Sequence, residues 1–353
     1  MRKIKVGLAG FGRFSVLVFF NMLNNSPWEL VAIAEISEER RNLARQLNKD
    51  IKILENYQDL VSLSDVEVVI ISLPSDLHAD AAILAFQQGK HVYLEKPIAT
   101  SYADAKQVIK SWKDSRCNGM IGLNYRFHPL NKEAKKYFSE GKLNDIFCVR
   151  SSFASPLRNL PKWQHTPETG GGALLHLATH HVDLIRFILS AEVKAVFSSI
   201  DNQKYLGDTA FLQLFLDNGI TTQSFFSHSA IRDDIFHFYG KTGKFTIDRY
   251  HSFNLEFTKP DIKPSRFPSV IPNFQKLINS PLLLSKLSNP RKEPSYQLSL
   301  NHFAETIVKK IPPSPNLWDG YQSLLVVEAA KKSAREGMVV NMEEWTSENT
   351  TGQ

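Results

Sequence analysis

Gly10-Phe11-Gly12-Arg13-Phe14-Ser15 stands between a short β-rich run, Lys3 to Ala9, and an apolar stretch, Phe14 to Leu23, long enough for a helix. The spacing is that of a G-x-G-x-x-G turn with serine in the third small position. Gly10 permits the tight turn. Gly12 lets the backbone approach a pyrophosphate, whose charge meets the unpaired amides of a helix start. Ser15 is small enough for close helix–strand packing, while Phe11, Arg13 and Phe14 complete the loop around the phosphates. Alone the turn is a weak signal. It is strengthened by Glu35, which follows Gly12 by 35 − 12 = 23 residues at the end of a second β-rich run. A carboxylate there can accept hydrogen bonds from an adenine ribose. It also repels a 2′-phosphate, so NAD is the expected cofactor. Arg13, Arg40 and Arg41 are phosphate partners that keep NADP open.

A second group of reactive side chains is histidine-rich. His176 and His180 are four apart and share a face if the segment is helical, whereas His181 points about 100° away. Imidazole is the usual general base near neutral pH. A His-x-x-x-His pair without the glutamate of a metalloprotease helix is weak evidence for zinc, and no metal is expected.

The elements that must carry these groups alternate in the first third. β-rich runs at Lys3–Ala9, Leu30–Ala34, Val66–Leu73, Lys90–Leu94 and Cys117–Leu123 alternate with helical patterns at Ser37–Leu47, Leu77–Gln88 and Tyr102–Trp112. Strands apolar throughout, joined by helices, predict a parallel sheet covered on both faces. Farther on, Asp145–Phe153, Ala195–Ser199, Ala210–Phe215, Thr221–Ser227 and Ile235–Tyr239 read as strands of a largely antiparallel sheet. Helices are expected at Leu130–Glu140, Ala173–Leu189, Tyr296–Lys309 and Trp318–Glu336. Phe253–Lys292 holds six prolines and seven Lys/Arg against two acids, and reads as a long loop or arm. Thr346–Gln353 is polar and reads as a frayed tail.

Composition bounds the rest. The 353 residues suggest two domains. Net charge is 42 − 36 = +6, mild for this length, so no nucleic-acid role is required. Two cysteines, Cys117 and Cys148, exclude a disulfide framework and fit a reducing compartment. Arg13 interrupts the N-terminal apolar stretch, which argues against a signal peptide, and no apolar run approaches a membrane span. The expectation is a cytoplasmic protein.

Three further segments carry a resemblance. They are Leu94-Glu95-Lys96-Pro97; Gly122-Leu123-Asn124-Tyr125-Arg126-Phe127-His128-Pro129; and Gly170-Gly171-Gly172 running on to His176, His180, His181 and Asp183. With Trp318-Asp319-Gly320 and Val327-Glu328-Ala329-Ala330, they make the chain resemble the glucose–fructose oxidoreductase / inositol dehydrogenase / rhizopine catabolism family, Gfo/Idh/MocA. The resemblance implies an α/β fold in two domains. Residues 1–122 would form a Rossmann domain with a doubly wound parallel sheet. Residues 123–353 would form a substrate-binding and oligomerisation domain with a large, mainly antiparallel open sheet. It implies hydride transfer between NAD(P) and a hydroxyl of a sugar, cyclitol or sugar derivative, in a homodimer or homotetramer. Lys96 would be the active-site lysine and His180 the catalytic histidine. Asn124, Tyr125 and Arg126 would lie near substrate, and Pro74, His78, Glu95 and Lys96 at the cofactor. His176 occupies the position where many members carry a substrate-binding aspartate. Trp163 and His165 either line the substrate pocket or staple a loop, and Arg126 either meets substrate or pairs with an acid. Two other activities fit the fold: a catalytically silent NAD(P)-binding sensor, and a reductase of an imine or tetrapyrrole.

Overall fold

The computed structural model describes residues 3–20, 23, 27–142, 145–156, 170–259 and 293–350. The chain divides into two compact units. The first comprises Met1–Asn124, Glu168–Gly170 and Tyr296–Leu325; the second comprises Tyr125–Pro167, Gly171–Ser295 and Val326–Gln353.

In the first unit, β1 (Ile4–Ala9), β2 (Trp28–Ala34), β3 (Lys52–Leu54), β4 (Val68–Ile71), β5 (His91–Leu94) and β6 (Gly119–Ile121) form a parallel sheet in the order β3-β2-β1-β4-β5-β6. This is the doubly wound order, with its switch between β1 and β4. β4 is buried along its whole length, which is why its sequence shows no polar alternation. Side-chain caps start some of these helices. Ser37 Oγ accepts from Arg40 N ahead of α2 (Glu38–Leu47), after the short α1 (Arg13–Ser15). The unanticipated β3 and α3 (Tyr57–Val61) are too short to show a period. α4 (His78–Gln87) and α5 (Tyr102–Asp114) fall where expected, and Ser101 caps α5.

The first unit also takes in Tyr296–Leu325, within residues that the sequence assigns to the second domain. The reason is apolar. Phe303 packs on Trp28 and Tyr93, and the Tyr93 hydroxyl hydrogen-bonds Ser299 Oγ at 3.0 Å. Burying each such aromatic is worth about 1.5–3 kcal/mol.

The second unit is built on an eight-stranded sheet. Its strands are β7 (Ile146–Ala154), β8 (Val193–Asp201), β9 (Thr209–Leu216), β10 (Thr221–Ser227), β11 (Asp233–Gly240), β12 (Gly243–Asp248), β13 (Glu256–Thr258) and β14 (Val340–Asn341). They run in the order β13-β12-β11-β7-β10-β9-β8-β14, antiparallel except for β7–β10. Leu212, Leu214 and Leu216 face inward and Phe211 outward on β9, the period-2 pattern of a half-buried strand. α6 (Pro129–Ser139) and α7 (Thr179–Leu189) pack against each other. α8 (Pro294–Lys309) and α9 (Leu317–Glu336) match the expected helices.

Two expectations need correcting. Within Phe253–Lys292, read as an arm, Glu256–Thr258 is strand β13, paired to Lys244–Thr246; residues 260–292 lie outside those described. The tail read as fraying from Thr346 is helical to Thr350, in α10 (Met342–Thr350), because the buried Trp345 anchors it. Among the described residues no helix is long and apolar enough to cross a membrane.

Candidate functional site

The glycine turn leaves β1 at the switch point. Gly10 has φ +94°, and an added Cβ would lie 2.3 Å from the Ser72 carbonyl oxygen, so only glycine fits. A Cβ at Gly12 would meet only Arg40 Nη1, at 3.6 Å, which leaves the backbone approachable. Ser15 is fully buried and its Oγ donates to Ser72 Oγ at 3.0 Å. α1 does not run on as the regular helix expected to Leu23. It passes into a π-helix at Val16–Phe20, whose wider turn lets the adjacent Phe19 and Phe20 both point inward.

Glu35 does more here than stand at a strand end. Its carboxylate accepts from Phe11 N at 2.8 Å and from Ser37 N at 2.9 Å. Arg40 Nη1 donates to the Phe11 carbonyl at 3.2 Å, and Arg41 Nη1 to the carbonyls of Glu35 and Ile36. Both arginines are therefore engaged with backbone around the turn. A tight glycine turn, an open second glycine and a carboxylate at the end of β2 fit a dinucleotide carrying a free ribose 2′-hydroxyl. Replacing Glu35 by Gln is expected to lower the NAD-over-NADP affinity ratio about tenfold, the effect of removing one partly exposed charge at contact distance. Fluorescence titration with NADH and NADPH checks it; an unchanged ratio would show that Glu35 only braces the turn.

Pro74, Glu95 and Lys96 follow β4 and β5, next to the buried His78. His78 Nδ1 lies 2.6 Å from the Pro97 carbonyl oxygen and Nε2 lies 3.0 Å from that of Leu73, and a neutral ring donates to one of the two. Burial lowers its pKa, against the pull of both carbonyls. The folded value thus lies below the unfolded one, so the unfolded chain binds the extra proton first. Stability should fall as pH drops below about 6.5, by up to about 1.4 kcal/mol per pH unit. Urea midpoints against pH for the protein and for His78→Gln test this: equal acid slopes would clear His78 of the effect.

Glu95 is buried at the end of β5 beside Gly122, where an added Cβ would sit 2.9 Å from its carboxyl group. Burial pushes Glu95 up to about 7, with Lys96 pulling it down. Burial brings the neighbouring, half-buried Lys96 down to about 8, with Glu95 pulling it up. Burial thus works against charge on both side chains, and their mutual attraction works for it.

In the second unit, Tyr125 and Arg126 occupy the 3-10 turn Asn124–Phe127, whose Tyr125 carbonyl accepts from Asn131 Nδ2 at 2.8 Å. The Tyr125 ring stacks on the buried His180 imidazole, centroids 4.2 Å apart at 14°. Arg249 Cζ lies 4.4 Å from the same ring centroid. Arg126 donates through Nε and Nη2 to Asp183 at 2.9 and 2.5 Å, both residues being buried, so its fork is engaged by an acid. Asn124 is buried and falls in the first unit.

The neighbouring histidines diverge. His181 is fully buried between Ser151 Oγ at 3.0 Å and Asp234 Oδ1 at 3.2 Å. Asp234 accepts from Arg249 Nε at 2.6 Å, and Arg249 Nη1 reaches Glu293 at 2.8 Å. His176, half-buried, meets His228. Arg249, Asp234 and His228 carried no motif in the sequence; each reaches the site only through pairing of the sheet. Trp163 and His165 lie outside the described residues. Among the described residues, no group of three or more His, Cys, Asp or Glu side chains is gathered to hold a metal ion.

Comparison with known proteins supplies the context. The Gfo/Idh/MocA model described as "Oxidoreductase family, NAD-binding Rossmann fold" matches residues 4–123. The one described as "Oxidoreductase family, C-terminal alpha/beta domain" matches residues 135–342. Myo-inositol 2-dehydrogenase of Thermotoga maritima is 24% identical over 353 residues, covering 97% of this chain and 99% of that protein. The WlbA dehydrogenase of Bordetella pertussis, crystallised with NADH and UDP-GlcNAcA, superposes with a TM-score of 0.82 at 21% identity, covering 96% and 98% of the two chains. Levoglucosan dehydrogenase with NADH and levoglucosan superposes at 0.79 with 22% identity, covering 97% and 100%.

Proposed function

Because the chain belongs to the Gfo/Idh/MocA family of NAD-binding oxidoreductases, we propose that it interconverts a secondary alcohol and a ketone on a sugar, cyclitol or sugar derivative. The observation that carries this reading is the turn after β1, where Gly10 admits no Cβ and the Glu35 carboxylate holds Phe11 N, with Lys96 just past β5 of the same sheet. A bound nicotinamide supplies the hydride acceptor or donor. Gly10, Gly12 and Ser15 form the pyrophosphate turn and Glu35 takes the adenosine ribose, with Phe11, Arg13, Phe14, Pro74 and His78 shaping the surroundings. Lys96 binds the reacting oxygen: its ammonium polarises a carbonyl, or stabilises the alkoxide that forms as an alcohol loses its proton. His180 exchanges that proton, its ring held flat by the stack on Tyr125. Asn124, Tyr125, Arg126, His176 and Trp163 contribute to substrate placement, Arg126 by bracing α7 through Asp183.

The named activities of the relatives support this substrate class, since inositol and levoglucosan both carry ring hydroxyls. Self-association through the outward aromatic face of the large sheet, which exposes Phe147 and Phe211, belongs to the same reading. So does a reducing, cytoplasmic setting, which suits the free thiols of Cys117 and Cys148. Light scattering tests the first point.

The central test is cofactor titration followed by a panel of cyclitols, aldoses and sugar nucleotides, read by reduced-nicotinamide absorbance. Turnover of a polyol is the expected result. Cofactor binding without turnover on the whole panel would turn the reading toward a sensor, and turnover only of an imine or tetrapyrrole would replace the substrate class.

A further inference from the structure

The second unit holds a cation against the ring stack that carries His180. Arg249 follows β12, and its backbone amide donates to the Asp234 carbonyl on β11 at 3.0 Å, so the pairing of these strands places it. Each of its three nitrogens has a partner. Nε donates to Asp234 at 2.6 Å, Nη1 to Glu293, just ahead of α8, at 2.8 Å, and Nη2 to the Tyr250 hydroxyl at 3.0 Å. Burial raises the Asp234 carboxyl, yet Arg249 and His181 together hold it below the usual carboxylate range. Burial raises Glu293 as well, and Arg249 and then His128 bring it below that range. Both acids are therefore charged near neutral pH.

A guanidinium gripped in its own plane by two carboxylates presents its flat faces to aromatic rings. Arg249 Cζ lies 4.4 Å from the ring centroid of the buried Tyr125 and 4.7 Å from that of Tyr250, both within cation–π range. The same Tyr125 ring carries the His180 imidazole, stacked at 4.2 Å and 14°. His181, the next residue, donates through Nε2 to Asp234 Oδ1 at 3.2 Å, since a carboxylate only accepts. One carboxylate thus ties both sides of the stack: Tyr125 through Arg249, and His180 through its chain neighbour.

We propose that Arg249 is a positioning residue for His180: clamped by Asp234 and Glu293, its guanidinium holds the Tyr125 ring on which the imidazole stacks, and so sets the angle at which that imidazole meets the reacting hydroxyl. The clamp stands on the geometry alone, whereas its effect on turnover rests on the proposed dehydrogenase reading. Arg249 acts only through Tyr125. Lysine could supply the charge but not the planar fork, so charge alone does not replace it.

The test is proton–carbon NMR of the histidine-labelled full chain, with assignment from His180→Gln and His237→Gln. Stacking on Tyr125 should move the carbon-bound protons of the His180 ring upfield, and Tyr125→Leu gives their position without the stack. Arg249→Met is expected to bring the His180 signals to that position. Those of His237, on the opposite face of β11 from Asp234, should stay in place. Arg249→Lys should fall between. Arg249→Met/Asp234→Asn, which leaves no ionised Asp234 behind, carries the test should the single methionine variant fail to fold. With whichever sugar of the panel is turned over, myo-inositol, levoglucosan and glucose among them, kcat should fall about 10- to 100-fold in Arg249→Met while NADH affinity stays within about twofold. His180 signals that stay put in every Arg249 variant would overturn the clamp. So would an unsubstituted protein whose His180 signals already match those of Tyr125→Leu. A lost stack with unchanged kcat would overturn the effect on turnover and leave the dehydrogenase standing. Absence of turnover on the whole panel would overturn the dehydrogenase reading and that effect together, while the His180 signals still decide the clamp.

Discussion

Lys96→Met is expected to lower kcat by about 10²–10³, the cost of removing one donor aimed at a charge that develops in the transition state. NAD affinity should change little by comparison, because Gly10, Gly12 and Glu35 remain in place. The pH profile separates this role from a structural one. Burial brings the lysine down to about 8, so its ammonium is present below that pH and lost above it. In the direction of carbonyl reduction, where the cation polarises the oxygen, kcat/KM should fall as pH rises through about 8. Lys96→Met should lack that limb, and Lys96→Arg should keep the charge without the titration. A methionine variant within about threefold of the parent enzyme would remove Lys96 from the chemistry.

Asp183→Leu is expected to destabilise the second unit by about 3–5 kcal/mol, because it leaves the Arg126 guanidinium buried without its carboxylate. The pair is tight and dry: two hydrogen bonds, 2.9 and 2.5 Å, between residues 8% and 1% exposed. Arg126→Met strands the carboxylate and should cost a similar amount. The double variant, with apolar side chains of similar volume facing each other, should recover most of the loss. Hydrogen exchange of Thr179–Leu189 reads the effect locally. Kinetics of the double variant then address substrate: restored stability with restored KM would make Arg126 a brace, whereas restored stability with a raised KM would give it a contact with substrate. Single variants each within about 1 kcal/mol of the parent would show that the pair contributes little.

The relation between these residues and the sequence divides along physical lines. The glycine turn, Glu35 and the alternation of strands and helices were legible because each is local. A positive φ demands glycine, a cap demands a short polar side chain, and strands buried on both faces read as unbroken apolar runs. Lys96 and His180 were singled out only through motifs at a resembled spacing, Glu95-Lys96-Pro97 following its strand directly.

What tertiary structure alone decided is who faces whom. His176 and His228 are 52 residues apart, Arg126 and Asp183 57, and Tyr93 and Ser299 206. Helical and strand periods tell which face of an element is turned inward, and nothing about which distant side chain will meet it there. Hence the acid that Arg126 meets, Asp183, came into view only with the bidentate contact. The helix beginning near Tyr296 looked like part of the second domain until Phe303 was found on Trp28 and Tyr93. The sequence by itself determined the two-sheet α/β architecture and the dinucleotide turn, because local backbone geometry and apolar patterning encode them. The hydrogen-bond partners of His181, and the place of His228 beside His176, were decided by the pairing of β7, β10 and β11, which brings together residues far apart along the chain.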